Sequence, residues 1–173
     1  VIELKKGVIM KTIVSLLVFL SAIFASDVPE EFDKLLYEKG EKVFEKKCME
    51  CHEKYMDIPL LMKNFIEENN KLLNLKAPTG NEISFRLKQQ IGHRDDIEFQ
   101  LHQTEEFMKD YLFNPDRAKT ICLEGVIRHF KTMPSLEGKV SEEEIYQVNH
   151  YLYFLEGFNG INSFFHKEEL ELK

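Results

Sequence analysis

The sequence predicts an all-α fold, and three observations carry that expectation. Apolar residues recur at spacings of three and four through most of the chain after residue 26. No stretch sustains the apolar–polar alternation of a half-buried strand. Capping signals mark the beginnings of the first and last strongly patterned segments. With 173 residues, eight Gly and five Pro, the chain suits one globular domain carrying an insertion, not a linker-rich or disordered polymer. Its net charge of −7 argues against a nucleic-acid binder working through a basic face.

The N-terminal segment reads as an address. Ile13 to Phe24 is a 12-residue apolar run preceded by Lys5, Lys6 and Lys11 and followed by Ala25, the pattern of a secretory signal peptide over residues 1–25. Met10 heads the more usual form of such a signal, so translation from Met10 would leave out residues 1–9. The run falls short of the ~20 residues needed to span a bilayer, so membrane anchoring arises only if the signal stays uncleaved. Cleavage removes Lys5, Lys6, Lys11 and Glu3, leaving 20 basic and 29 acidic residues, or −9. Export of an acidic domain points to the bacterial periplasm.

The domain is expected over residues 26–157. Its first helix is predicted to start near Asp27, with Pro29 in the first turn and Glu30 completing a capping box. Phe32, Leu36, Gly40 and Val43/Phe44 would form its apolar face. Gly40 costs such a helix about 1 kcal/mol relative to Ala, which implies a close packing contact. Further helices are predicted over Leu60–Leu75, Asn81–Ile91 (Ile83, Leu87 and Ile91 on one face), Asp96–Phe113 and Asp116–Phe130. The last helix opens with the capping box Ser141/Glu144, carries the stripe Ile145, Val148, Leu152, Leu155, and stops by Gly157. Residues 158–173 form a tail.

Cys48-Met49-Glu50-Cys51-His52 carries the chemistry. C-x-x-C-H is the attachment signature of c-type haem. Thiols three positions apart can add to the two vinyl groups of one porphyrin edge, and the adjoining His52 supplies an imidazole to the iron. A thioredoxin-like pair would follow a strand in a βαβ unit, a structural zinc site would need about four ligands, and a Cys48–Cys51 disulfide is a third reading. Met133, in the turn-like Thr132-Met133-Pro134, is the leading candidate for the second axial ligand, with His129 one turn earlier as its competitor. Met56, Met62 and Met108 fit apolar packing instead. His93, His102, His150 and His166 are expected on the surface or in the tail. Cys122, between Ile121 and Leu123, reads as a small buried residue of the Asp116–Phe130 helix, with sulfur chemistry near the haem as the sharper alternative.

On these residues the chain resembles the class I cytochromes c. Gly40-Glu41-Lys42-Val43-Phe44 leading into the haem motif is similar to the family's N-terminal helix. Lys131-Thr132-Met133-Pro134 is similar to its distal methionine loop, and Glu144–Leu155 with Tyr151 to the C-terminal helix crossing near Gly40. The resemblance implies a cytochrome c-like helical domain around one covalent haem, axially ligated by His52 and Met133. It also implies a Pro carbonyl orienting the ligand imidazole, a role for which Pro59 and Pro78 both compete. His52 and Met133 stand 81 residues apart, more than compact bacterial members use, so residues 60–113 are read as a helical insertion. The expected function is a periplasmic, non-enzymatic carrier passing single electrons between redox protein partners. The alternatives are a haem subunit of a sulfur-compound-oxidising or peroxide-reducing enzyme, and a haem-based sensor.

Overall fold

The computed structural model describes residues 31–155. The expected signal peptide over residues 1–25, the helix start at Asp27–Glu30, Gly157, His166 and the tail 158–173 lie outside the described residues. The described chain is all-α, with no strand among the described residues. Its helices are α1 (Lys34–Lys47), α2 (Ile58–Met62), α3 (Gly80–Gln90), α4 (Ile97–Phe113), α5 (Glu124–Ile127) and α6 (Glu142–Phe154). A π-helical turn, Lys63–Glu67, follows α2, and a 3-10 turn, Arg117–Lys119, precedes α5. No helix among the described residues is long and apolar enough to cross a membrane.

The most extensive helix pair is α1 with α6. Asp33 caps α1 by accepting the Leu36 N–H at 3.0 Å. Phe32 therefore lies before the helix, not on its face, and packs on Phe154 (5.2 Å between ring centres) and His150 (5.9 Å). In α6 the predicted capping box is formed: Glu144 N–H donates to Ser141 Oγ (3.1 Å), and Ser141 N–H donates to the Glu144 carboxylate (2.9 Å). The stripe Ile145, Val148, Leu152, Leu155 is buried, each residue at most 3% exposed. Gly40 faces it at the crossing. A Cβ there would overlap the Gln147 carbonyl oxygen and lie 2.6 Å from Tyr151 Cβ, so glycine is what lets the two backbones meet.

Helices α3 and α4, both from the expected insertion, pack on α6 and share the main core with Phe44, Leu87, Met108 and Tyr151. They are part of the domain's body. A second, smaller apolar cluster joins Leu61 and Phe65 to Val126, Ile127 and Phe130, with Met56 and Cys122 against it. Gln100 ties α4 to its neighbours by donating to the Lys88 and Ile91 carbonyls (2.9 and 2.7 Å) and accepting from Tyr153 Oη (2.7 Å).

Two predicted helices are cut short. Leu60–Leu75 is helical only to Glu67, because Asn69, Asn70 and Asn74 adopt left-handed backbone (φ 49°, 63° and 48°). The Asn70 side chain makes that turn self-sufficient. It accepts from Asn64 Nδ2 (2.9 Å) and the Leu75 N–H (3.0 Å) and donates to the Leu75 carbonyl (2.9 Å). Asp116–Phe130 also breaks, into the 3-10 turn, a non-helical stretch that bends at Cys122, and α5. The Asp116 carboxylate accepts the Ala118 N–H (2.8 Å), and Arg117 donates to the Ile127 and Phe130 carbonyls (2.8 and 3.1 Å), so side chains replace the continuous helical ladder.

Candidate functional site

The motif sits on the turn that ends α1. The Cys48 N–H closes that helix onto the Phe44 carbonyl (2.8 Å). The Cys51 and His52 N–H groups then both donate back to the Cys48 carbonyl, at 3.1 and 3.0 Å. One tight turn thus presents both thiols and the imidazole. Cys48 is half-buried and Cys51 exposed, and neither is in a disulfide. Burial pushes the Cys48 thiol up to about 11. The motif follows a helix, which removes the βαβ setting a thioredoxin-like pair needs. Among the described residues no three His, Cys, Asp or Glu side chains gather as a metal cage, which disfavours the zinc reading.

His52 Nδ1 lies 2.7 Å from the Pro78 carbonyl oxygen. A carbonyl can only accept, so Nδ1 carries the proton. Burial holds the imidazole's pKa below its ordinary value, opposed in part by this same bond. The ring is therefore a neutral Nδ1–H tautomer, which leaves the lone pair on Nε2. Sequence left Pro59 and Pro78 in competition; Pro59 instead lies in the first turn of α2, where a proline fits.

A clasp between residues 53–56 and 79–81 keeps Pro78 in place. The Gly80 N–H donates to the Glu53 carbonyl (2.7 Å) and the Asn81 N–H to the Lys54 carbonyl (3.2 Å). The fully buried Asn81 side chain grips Met56 at both ends, donating to its carbonyl (2.9 Å) and accepting its N–H (3.3 Å). Gly80 allows the approach, since a Cβ there would lie 2.5 Å from the Lys54 carbonyl oxygen. Lys54 then ties the clasp to α1 through Glu41 (2.9 Å) and Glu45 (2.8 Å). Sequence reasoning missed Asn81; an Asn after Pro-Thr-Gly signals only a helix start.

Met133 lies half-buried in the connection from α5 to α6. That loop is pinned beyond Met133 by Ser135 Oγ donating to the Phe113 carbonyl (2.7 Å) and the Leu136 N–H donating to the Leu112 carbonyl (2.8 Å). His129, the competing ligand, is engaged elsewhere. Its ring stacks on Phe65 (5.6 Å, 26°), and its Nε2 accepts from Arg128 Nε (3.3 Å). His150 is buried, not exposed as expected, and accepts the Asp33 N–H at 3.2 Å in the α1–α6 seam. Of the three methionines read as packing, Met108 is in the main core and Met56 against the smaller cluster, whereas Met62 is 53% exposed.

Cys122 is half-buried against the smaller cluster, at a bend in a non-helical connection instead of a helix. Its thiol is pushed up to about 12, first by burial and then by the negative charge of Glu82; the Thr120 hydroxyl and Arg86 oppose this. Glu82, not the sequence neighbour Glu124, is the carboxylate that matters there.

Over 123 residues the chain is 33% identical to an uncharacterized protein of Aquifex aeolicus strain VF5, a match covering 70% of this chain and 76% of that protein. No family model matches the chain, and no solved structure does.

Proposed function

The chain belongs to the family of this Aquifex aeolicus protein, and we propose that it is an exported, monohaem c-type cytochrome carrying single electrons between redox proteins of the periplasm. The observation that carries the reading is the imidazole of His52, locked as an Nδ1–H donor to the Pro78 carbonyl on the same turn as Cys48 and Cys51. Such a carbonyl partner is what fixes the ring and raises the basicity of a metal-ligating histidine. The donor set fits haem c: the Cys48 and Cys51 thiols would attach it covalently, and His52 Nε2 and the Met133 thioether would hold its iron. The cytochrome c-like arrangement belongs to the same proposal, supported by the α1–α6 crossing at Gly40.

Bound haem would supply the one-electron couple, which a His/Met ligand pair favours over binding of small molecules at iron. The chain's own part is to hold and to exclude. The clasp at residues 53–56 and 79–81 keeps Pro78, and so His52, from rotating. Phe44, 6.4 Å from the imidazole between ring centres, shields its inner side. The raised pKa of Cys122 leaves it protonated and unreactive at neutral pH, which favours a carrier over a sulfur-converting enzyme.

The test is an optical spectrum of holoprotein matured with haem-attachment machinery, oxidised and reduced, with and without carbon monoxide. A methionine–iron charge-transfer band with no carbon monoxide response supports the carrier. A reduced protein that binds carbon monoxide at once would point to an open iron and an enzymatic or sensing role.

A further inference from the structure

We propose that Glu82 is a redox-linked proton acceptor, so that near neutral pH the protein takes up a fraction of a proton, about half at most, from solvent with each electron it gains and releases it when the electron leaves. This inference rests on the reading of the chain as a haem carrier. The observation behind it is independent of the motif. Glu82 is 1% exposed, and neither of its carboxyl oxygens makes a well-formed hydrogen bond, the Thr79 backbone N–H acting on it only weakly. An ionised carboxylate so poorly supplied with donors in a protein interior is among the costliest groups to keep. A carboxyl group in such a place exchanges its proton in response to small changes in nearby charge.

Its position links it to the proposed iron ligand. Glu82 is in the first turn of α3, four residues after Pro78, whose carbonyl holds His52. Thr79 and Glu82 have capping-box spacing, yet the Thr79 hydroxyl turns away to donate to Asn81 Oδ1 (2.7 Å). Arg86, one turn along α3, is the cation facing the carboxyl group, and its own donors go to the Ile121 carbonyl (2.7 Å) and Gln89 (3.2 Å). The Cys122 thiol, on the segment before α5, interacts electrostatically with Glu82, and the Thr120 hydroxyl and Tyr111 of α4 interact with Cys122. Burial pushes Glu82 up to about 7, against the pull of the Thr79 backbone N–H and Arg86. Its proton is thus exchangeable at physiological pH.

The step balances simply. A redox partner supplies the electron, bulk water supplies the proton, and an O–H bond forms on Glu82; oxidation breaks that bond and returns the proton. The coupling expected is about a tenfold rise in proton affinity on reduction, or about one pKa unit. By linkage, a tenfold change corresponds to about 59 mV for one electron.

The experiment is a redox titration of wild-type and Glu82→Gln holoprotein across neutral pH, with redox-difference infrared spectra. The expected result is a wild-type potential that falls by about 59 mV in total as pH rises, and a protonated-carboxyl band lost on oxidation. Glu82→Gln should be pH-independent and lack the band. A pH-independent wild-type potential, or the same pH dependence in Glu82→Gln, overturns the inference and leaves the carrier reading intact. Absence of covalent haem overturns both. If Glu82→Gln does not fold, Glu82→Asp serves: a displaced midpoint and band support the proposal, and an unchanged midpoint and band overturn it.

Discussion

Replacing Gly40 by alanine tests the helix crossing on which the whole domain is built. The new methyl carbon would overlap the Gln147 carbonyl oxygen and stand 2.6 Å from Tyr151 Cβ and 2.7 Å from the Gln147 carbonyl carbon. Ordinary carbon–carbon contact lies near 3.5–4.0 Å, so α1 and α6 must separate by about 1 Å. No rotamer change can relieve the clash, because the atoms met are backbone and Cβ. A gap of that size forfeits between a quarter and a half of each dispersion contact along the seam, where Phe44, Ile145 and Tyr151 are each at most 1% exposed. Alanine returns about 1 kcal/mol of helix propensity, against an overpacking cost at or above the usual ~3 kcal/mol. The net destabilisation expected is about 2 kcal/mol, a fall in Tm of roughly 6–10 °C for a domain of this size. Gly125→Ala is the control, since a Cβ there meets nothing within 4 Å. Thermal unfolding followed by circular dichroism reads both. A Gly40→Ala protein as stable as wild type, or one matching the control, would refute the close-crossing argument.

Glu82 makes stability depend on pH with a definite sign. Its folded pKa of about 7 lies above the ordinary 4.5, so the native state binds the proton more tightly than the unfolded chain. Its contribution is fully present below about pH 4.5 and is lost as pH rises through about 7, roughly 3 kcal/mol in all. Denaturant titrations should show this fall in wild type and not in Glu82→Leu; parallel profiles would contradict it. Met133→Ala should lower the reduction potential and admit added imidazole or carbon monoxide. If only His129→Ala did so, the distal role would pass to His129. Cys122 should alkylate slowly in native holoprotein, since its thiol pKa is about 12, and Cys122→Ser should leave electron transfer unchanged; rapid labelling, or sulfur bound to Cys122, would favour the sulfur-enzyme reading.

Periodicity made the long helices legible. The stripe of α6, the capping box at Ser141 and the need for a close partner at Gly40 could all be read because one dominant contact surface enforces the 3.6-residue period. Where side-chain hydrogen bonds replace the backbone ladder, the pattern misleads. Asn70 and Arg117 each satisfy carbonyls or N–H groups that a longer helix would have used, and apolar spacing alone cannot show that. Helix α3 was found, but its buried face was not. Asn81, Glu82 and Ser84 are at most 1% exposed beside Leu87, while Ile83 and Ile91 are only partly buried. Asn81 is buried by the clasp and Ser84 bonds the Leu155 carbonyl, both contacts between residues distant in sequence. The motif singled out Cys48, Cys51 and His52 as the candidates, whereas the choice of Pro78 over Pro59 needed the three-dimensional path of residues 53–81.

The most direct test of the central claim is mass spectrometry of peptides from protein expressed with a cytochrome c maturation system. The account predicts one haem on the peptide spanning Cys48 to His52, joined through both thiols and retained after denaturation. Unmodified thiols at Cys48 and Cys51, in a preparation where a control cytochrome is fully loaded, would contradict it.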